Sequence, residues 1–253
     1  MADQDDIENK LVAARTWLII DKPFLGALVL RLPLVEANPK WCQTTATDAR
    51  SFYYNPRYIE ALSFEQTKFI LAHEALHCAL SHFARREHRD KRRWDLACDF
   101  AINPLLIADG LMPAPDALML DAYKDMTAEE IYPCLQENAD QKPMDQHLYD
   151  QDDKPHGPGE QGGGEGGQGQ AQDDDSGGSQ GEPDPQAHGA PQPPPLFALE
   201  RESLHKQWQQ RLASAAQQAM QAGKLGGSMA RIVDHLLQPQ LPWRMLLAHY
   251  MTR

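Results

Sequence analysis

His73, Glu74 and His77 form an H-E-x-x-H motif, three side chains of complementary chemistry within five residues. On a helix, positions four apart sit about 40° apart around the axis, so both imidazoles point the same way. Two neutral imidazoles on one face can bind a zinc ion. Glu74, on the neighbouring stripe, can then reach a metal-activated water and take its proton as general base. With 10 histidines in 253 residues, such a motif is expected by chance only about 0.02 times. The bland alternative, two hydrogen-bonded histidines and a solvated glutamate, is therefore the weaker reading.

Catalytic zinc sites usually carry three protein ligands and one open position. The downstream candidates are Asp95 and Asp99. If the motif helix runs to about residue 87 and the next returns antiparallel from Asp90, His77 lies about 15 Å from the turn, Asp99 about 14 Å and Asp95 about 8 Å. Asp99 is thus level with His77. It also stands between Cys98 and Phe100 on a helix that is apolar nearly all round, where an unpaired carboxylate would be costly to bury and a cation would compensate it. The competing role for Asp99 is an ion pair with a nearby arginine. Asp95, in the first turn, is accounted for by the helix dipole.

The element that must position the motif is a helix over 64–86. Ser63 is a good N-cap, Gln66 completes a capping box, and Phe69, Ile70, Leu76, Leu80 and Phe83 recur at helical spacing. Upstream, Ile7, Leu11, Ala14, Trp17 and Leu18 predict an amphipathic helix over 5–20. Residues 27–36, 41–47 and 51–54 are rich in β-branched and aromatic side chains and predict a small sheet of about three strands, with 47–50 as a hairpin turn. Asn55-Pro56 begins a short helix. Downstream, Asp90 caps the second helix, Pro104 predicts a kink or a restart with Asn103 as N-cap, and Gly110 ends it. Thr127 and Glu130 form a capping box for a helix over 128–137. Helices are also predicted over 197–222, 229–237 and 242–251. The basic run Arg85, Arg86, Arg89, Lys91, Arg92 and Arg93 reads as a helix C-terminus and solvated loop.

The formal charge of −12 is concentrated in one stretch. Residues 138–196 carry 12 acidic side chains and two lysines among mostly Gly, Gln, Asp and Pro. Such a composition cannot bury enough apolar surface to offset ordering, so it predicts a disordered acidic linker. The acidic pI gives no reason to expect nucleic acid. The acidic start lacks the pattern of a signal peptide, and the apolar run over 17–35 is too interrupted to span a bilayer, so no membrane association is expected. Cys42, Cys78, Cys98 and Cys134 contain no C-x-x-C pair, which argues against a zinc finger or a disulfide framework and fits a cytoplasmic chain.

Residues 73–82 (HEALHCALSH), 94–103 (WDLACDFAIN) and 128–132 (AEEIY), with Thr44-Thr-Ala-Thr-Asp48 and Tyr54-Asn-Pro56 upstream, resemble a family of bacterial metallopeptidase domains. The resemblance covers roughly 7–135. It implies Zn2+ held by His73, His77 and Asp99, with Glu74 as the catalytic base. Ala49 stands where that family usually has Gly. Longer members are similar in continuing into a von Willebrand A-like domain, and the sequence ends where such a domain would be expected to begin. The family's association with AAA+ ATPases implies a partner of that kind.

The expected architecture is α+β: a zincin-like metallopeptidase domain over 1–137, the linker over 138–196 and a helical segment over 197–253. The expected reaction is zinc-dependent hydrolysis of a polypeptide, an extended strand added along 41–47 beside the metal. Tyr53, Tyr54 and His82 are the candidates for a second oxyanion donor; His82, five residues past His77, is turned away from the metal stripe and reads as structural. The alternative is a non-catalytic, metal-stabilised scaffold or partner-binding protein. Hydrolysis of a non-peptide amide is a further variant of the enzymatic reading.

Overall fold

The computed structural model describes residues 4–135, 142–148 and 189–237. Helix α1 (Gln4–Asp21) is followed at once by α2 (Pro23–Val29), which starts with proline in its first turn. Proline fixes φ where no N–H is needed, and Phe24, Leu25, Leu28 and Val29 then bury at helical spacing. This corrects the strand expected over 27–36, of which only β1 (Leu34–Glu36) is extended. Gly26 lets the two helices meet closely: a Cβ there would stand 2.5 Å from the backbone of Ile19.

Strands β2 (Thr45–Thr47) and β3 (Phe52–Tyr54) form the expected hairpin. Asp48 Oδ1 accepts from the N–H groups of Arg50 and Ser51, and Ala49 takes φ 64°. That is the conformation a glycine would adopt freely; Ala49 is held in it by its N–H to Thr47 Oγ1 and by the Trp208 indole, which donates to its carbonyl. The sheet has four strands where about three were expected, in the order β1-β3-β2-β4. The fourth, β4 (Gln146–His147), pairs parallel with β2.

After α3 (Pro56–Ala61), capped by Asn55, comes α4 (Phe64–Ala79), with the capping box of Ser63 and Gln66 in place. It is the central helix: every residue from Thr67 to Ala79 is buried. It does not continue to residue 87. Ser81 adopts a left-handed φ of 55°, and a separate short helix α5 (His82–Arg85) follows. Helix α6 (Lys91–Ala108), capped by Asp90, runs through Pro104 without the expected restart; Asn103 is buried inside it and caps nothing. Packing on both sides overrides the local preference. Helix α7 (Ala128–Ile131) keeps its capping box but is shorter than expected.

Two stretches of the expected linker, 142–148 and 189–196, are placed against the fold. Met144, Leu148 and Leu196 are buried, so these two stretches depart from the disorder expected of them. The rest of that expectation, and the helix over 242–251, lie outside the described residues. Helix α8 (Ala198–Gln221) buries Leu204, Trp208, Leu212, Ala215, Ala216 and Ala219 in the same apolar core as α1, α2 and α4. Helix α9 (Gly227–Leu237) follows, with Met229 and Val233 in that core. Among the described residues no helix is long and apolar enough to cross a membrane.

Candidate metal centre

Helix α4 turns His73, Glu74 and His77 inward, α6 presents Asp99 from across the helix pair, and the 142–148 stretch adds Asp145 from the sheet side. His73 Nε2 lies 2.9 Å from His77 Nε2 and 3.5 Å from Asp99 Oδ1, which is 3.3 Å from His77 Nε2. Asp145 Oδ2 is 3.7 Å from His73 Nε2, and all four ligand atoms lie within 4.8 Å of one another. Ligands about 2.0–2.1 Å from a tetrahedral centre are separated by roughly 3.3 Å. The four atoms fit one such cation.

The polar atoms support the same conclusion. His73, Glu74, His77 and Asp99 are fully buried. Among the described residues, both carboxylate oxygens of Glu74, both of Asp145 and Oδ1 of Asp99 lack a hydrogen bond of ordinary geometry. Enclosed acceptors without well-formed donors, only partly offset by His147 beside Asp145, favour a positive charge among them.

The supporting contacts decide which nitrogens face the cluster. Asn103 Nδ2 donates to the Leu118 carbonyl at 3.0 Å, so its Oδ1 faces His73. His73 Nδ1 must then be the donor in the 2.9 Å contact with that oxygen, which leaves the lone pair on Nε2, toward Asp99 and His77. His77 is backed by His82, Nδ1 to Nδ1 at 3.3 Å. The left-handed Ser81 swings His82 beneath the motif, where an unbroken helix would have turned it away. Burial, then His147 and His73, lowers the His77 pKa to about 4, so its imidazole is neutral and fit for ligation.

The carboxyl groups divide. Burial and Asp145 push the Glu74 carboxyl well above its usual range. Burial and Asp145 also push Asp99 upward, but its contacts with His73 and His77 outweigh them and hold it low. Burial disfavours the Asp145 carboxylate too, yet His147 holds it below its usual range. His147 is held between two acids: its Nδ1 donates to Asp95 Oδ1 at 2.9 Å and its Nε2 lies 3.1 Å from Asp145 Oδ2. Burial opposes its charge, but Asp145 and Asp95 overcome this and raise its pKa well above the normal value. Asp95 thus has a specific partner, a correction to its assignment to the helix dipole.

The three residues read as ligands and the one read as base are brought together. Tyr53 and Tyr54 are not: the Tyr53 hydroxyl donates to Asp48, and Tyr54 stacks on Phe52. Asp145, His147 and the roles of Asn103 and Asp95 escaped the sequence reading. The one available signal was the pair of apolar residues Met144 and Leu148 bracketing Asp-x-His inside a polar tract.

A curated protein of Thermotoga maritima, itself described as an uncharacterized protein, is 34% identical over 100 residues, 36% of this chain and 25% of that protein. The match therefore spans only a quarter of that relative's length. No solved structure matches the chain. The profile of the family described as "Putative metallopeptidase domain" matches residues 6–253. That span takes in the H-E-x-x-H helix, α6 and the 142–148 stretch together, and the chain belongs to this metallopeptidase-domain family.

Proposed function

We propose that the chain is a zinc-dependent peptidase in which His73, His77 and Asp99 hold the metal and Glu74 is the general base. The observation that carries this reading is the position of Glu74: one residue from a ligand, fully buried beside the cluster, with neither carboxylate oxygen in a hydrogen bond of ordinary geometry among the described residues. A purely structural site needs no carboxylate there. Two imidazoles and a carboxylate suit zinc, which when bound lowers the pKa of a water and polarises a carbonyl.

The chain's own residues supply the proton handling. In the absence of added positive charge, burial and Asp145 favour the protonated form of Glu74. Positive charge beside it offsets Asp145 and frees the carboxylate to accept a proton, which it returns to the leaving amine nitrogen. Asn103 and His82 keep the two imidazoles aimed. Neutral His77 keeps its lone pair for ligation near neutral pH. An AAA+ ATPase partner rests on the resemblance alone.

Full enclosure of the cluster favours a second reading, a metal-stabilised scaffold without catalysis. Glu74→Gln separates the two. The variant should keep its metal and fold while cleavage of unfolded polypeptide, read by mass spectrometry, falls by about 10²-fold or more. Equal cleavage by parent and variant would point to a contaminant, and a metal-loaded chain that cleaves nothing, with residues 142–148 in place or released, would favour the scaffold.

A further inference from the structure

We propose that residues 142–148 occupy the substrate channel of this site: Asp145 supplies a fourth ligand, and β4 takes the edge of β2 along which a polypeptide substrate would lie. The inference rests on the metal site proposed above and adds to it the class of ligand the channel accepts, an extended peptide strand.

The stretch is held as a bound peptide is held. Gln146 and His147 pair with Ala46 and Thr47 in parallel register, and the Leu148 N–H donates to the Thr47 carbonyl at 3.0 Å. Thr44 Oγ1 donates to the Met144 carbonyl at 3.1 Å, and the Met144 N–H donates to Asp99 Oδ2 at 2.9 Å. Side chains alternate in the manner of strand recognition: Asp145 and His147 point in to the cluster, while Gln146 is exposed. Met144 and Leu148 fill apolar pockets at the two ends.

The placement closes the site from one side. An open cleft of about 900 Å³ runs along the outer face of 142–148, lined also by Thr44, Asp95 and Gln192, and none of His73, Glu74, His77 or Asp99 borders it. The layer between cleft and cluster is this stretch. A catalytic site needs one position for water or substrate, and in this arrangement the Asp145 carboxylate stands there. Cleavage then requires 142–148 to leave the β2 edge. The attachment is short, two ladder positions with Asp145, the His147–Asp95 pair, two apolar side chains and a few hydrogen bonds, whereas the layer behind it is the continuous buried core. The chain would be latent until a competing strand displaces its own.

The test uses the full chain loaded with cobalt(II), whose visible spectrum reports ligand number, with azide as the probe of an open position. The parent should be insensitive to azide. Asp145→Ala should keep about one metal per chain, bind it at least ~10-fold more weakly, and change its spectrum on adding azide. Leu148→Pro, which removes the N–H to Thr47 and leaves every candidate ligand in place, should make the spectrum azide-sensitive as well and guards against a folding defect at Asp145. Unchanged affinity and spectrum in Asp145→Ala would overturn the proposal, as would a loss of metal as complete as in His73→Ala or a parent already open to azide. If the variants open to azide yet cleave no polypeptide, the strap stands and the peptidase reading falls.

Discussion

Asn103 touches no ligand atom, yet it sets which nitrogen of His73 faces the cluster, because its own amide is oriented by the Leu118 carbonyl. Removing that acceptor leaves a buried N–H unpaired and lets the imidazole rotate or change tautomer. Asn103→Leu should therefore weaken metal binding by about 10- to 100-fold while the protein stays folded, read by competition with a chromophoric chelator. Asn103→Asp, which keeps an acceptor at Oδ1, should lose less. A leucine variant with parental affinity would remove Asn103 from the positioning role. Asp95 acts on the other side of the site in a similar way, through His147.

Among elements, the α1–α2 pair frames the motif helix, since both pack on α4 and their mutual approach depends on Gly26. Alanine there would gain about 1 kcal/mol of helix propensity. Its Cβ would meet the Ile19 backbone at 2.5 Å, which cannot swing aside as a side chain can. Gly26→Ala should cost about 1–3 kcal/mol overall, seen as a lower urea midpoint. Gly227→Ala is the control, because a Cβ at Gly227 meets nothing within 4 Å. Comparable losses in both variants would mean that helix approach is not what Gly26 secures.

For the whole molecule, α8 packs into the apolar core of the N-terminal elements, and the 142–148 stretch completes their sheet. Trp208 is fully buried and its indole holds the carbonyl of Ala49, the left-handed residue of the β2–β3 turn. A chain ending at residue 137 loses this support, the fourth strand and Asp145. It should bind metal more weakly than the full chain and unfold without a sharp transition, as followed by calorimetry and elemental analysis. A fragment with the parent's metal content and cooperativity would show that the division at 137 is the physical one and that α8 is an accessory.

The local parts of this architecture were legible in the amino-acid order because their signals repeat within a few turns of helix. The capping box at Ser63 and Gln66, the apolar spacing of α4 and the i, i+4 histidines place three polar side chains on one face before any tertiary contact is known. Asp99 was legible as an isolated acid on an apolar helix, although α4 stops at Ala79 and the intervening chain is not the straight helix assumed. Asp145 and His147 could not be read in this way. A two-residue strand has no period, its pairing with β2 joins residues about 100 positions apart, and a polar tract offers no local reason to order. Burial of Met144 and Leu148 against the assembled sheet and helices decided that the stretch folds in, and with it that Asp145 joins the candidate ligand cluster.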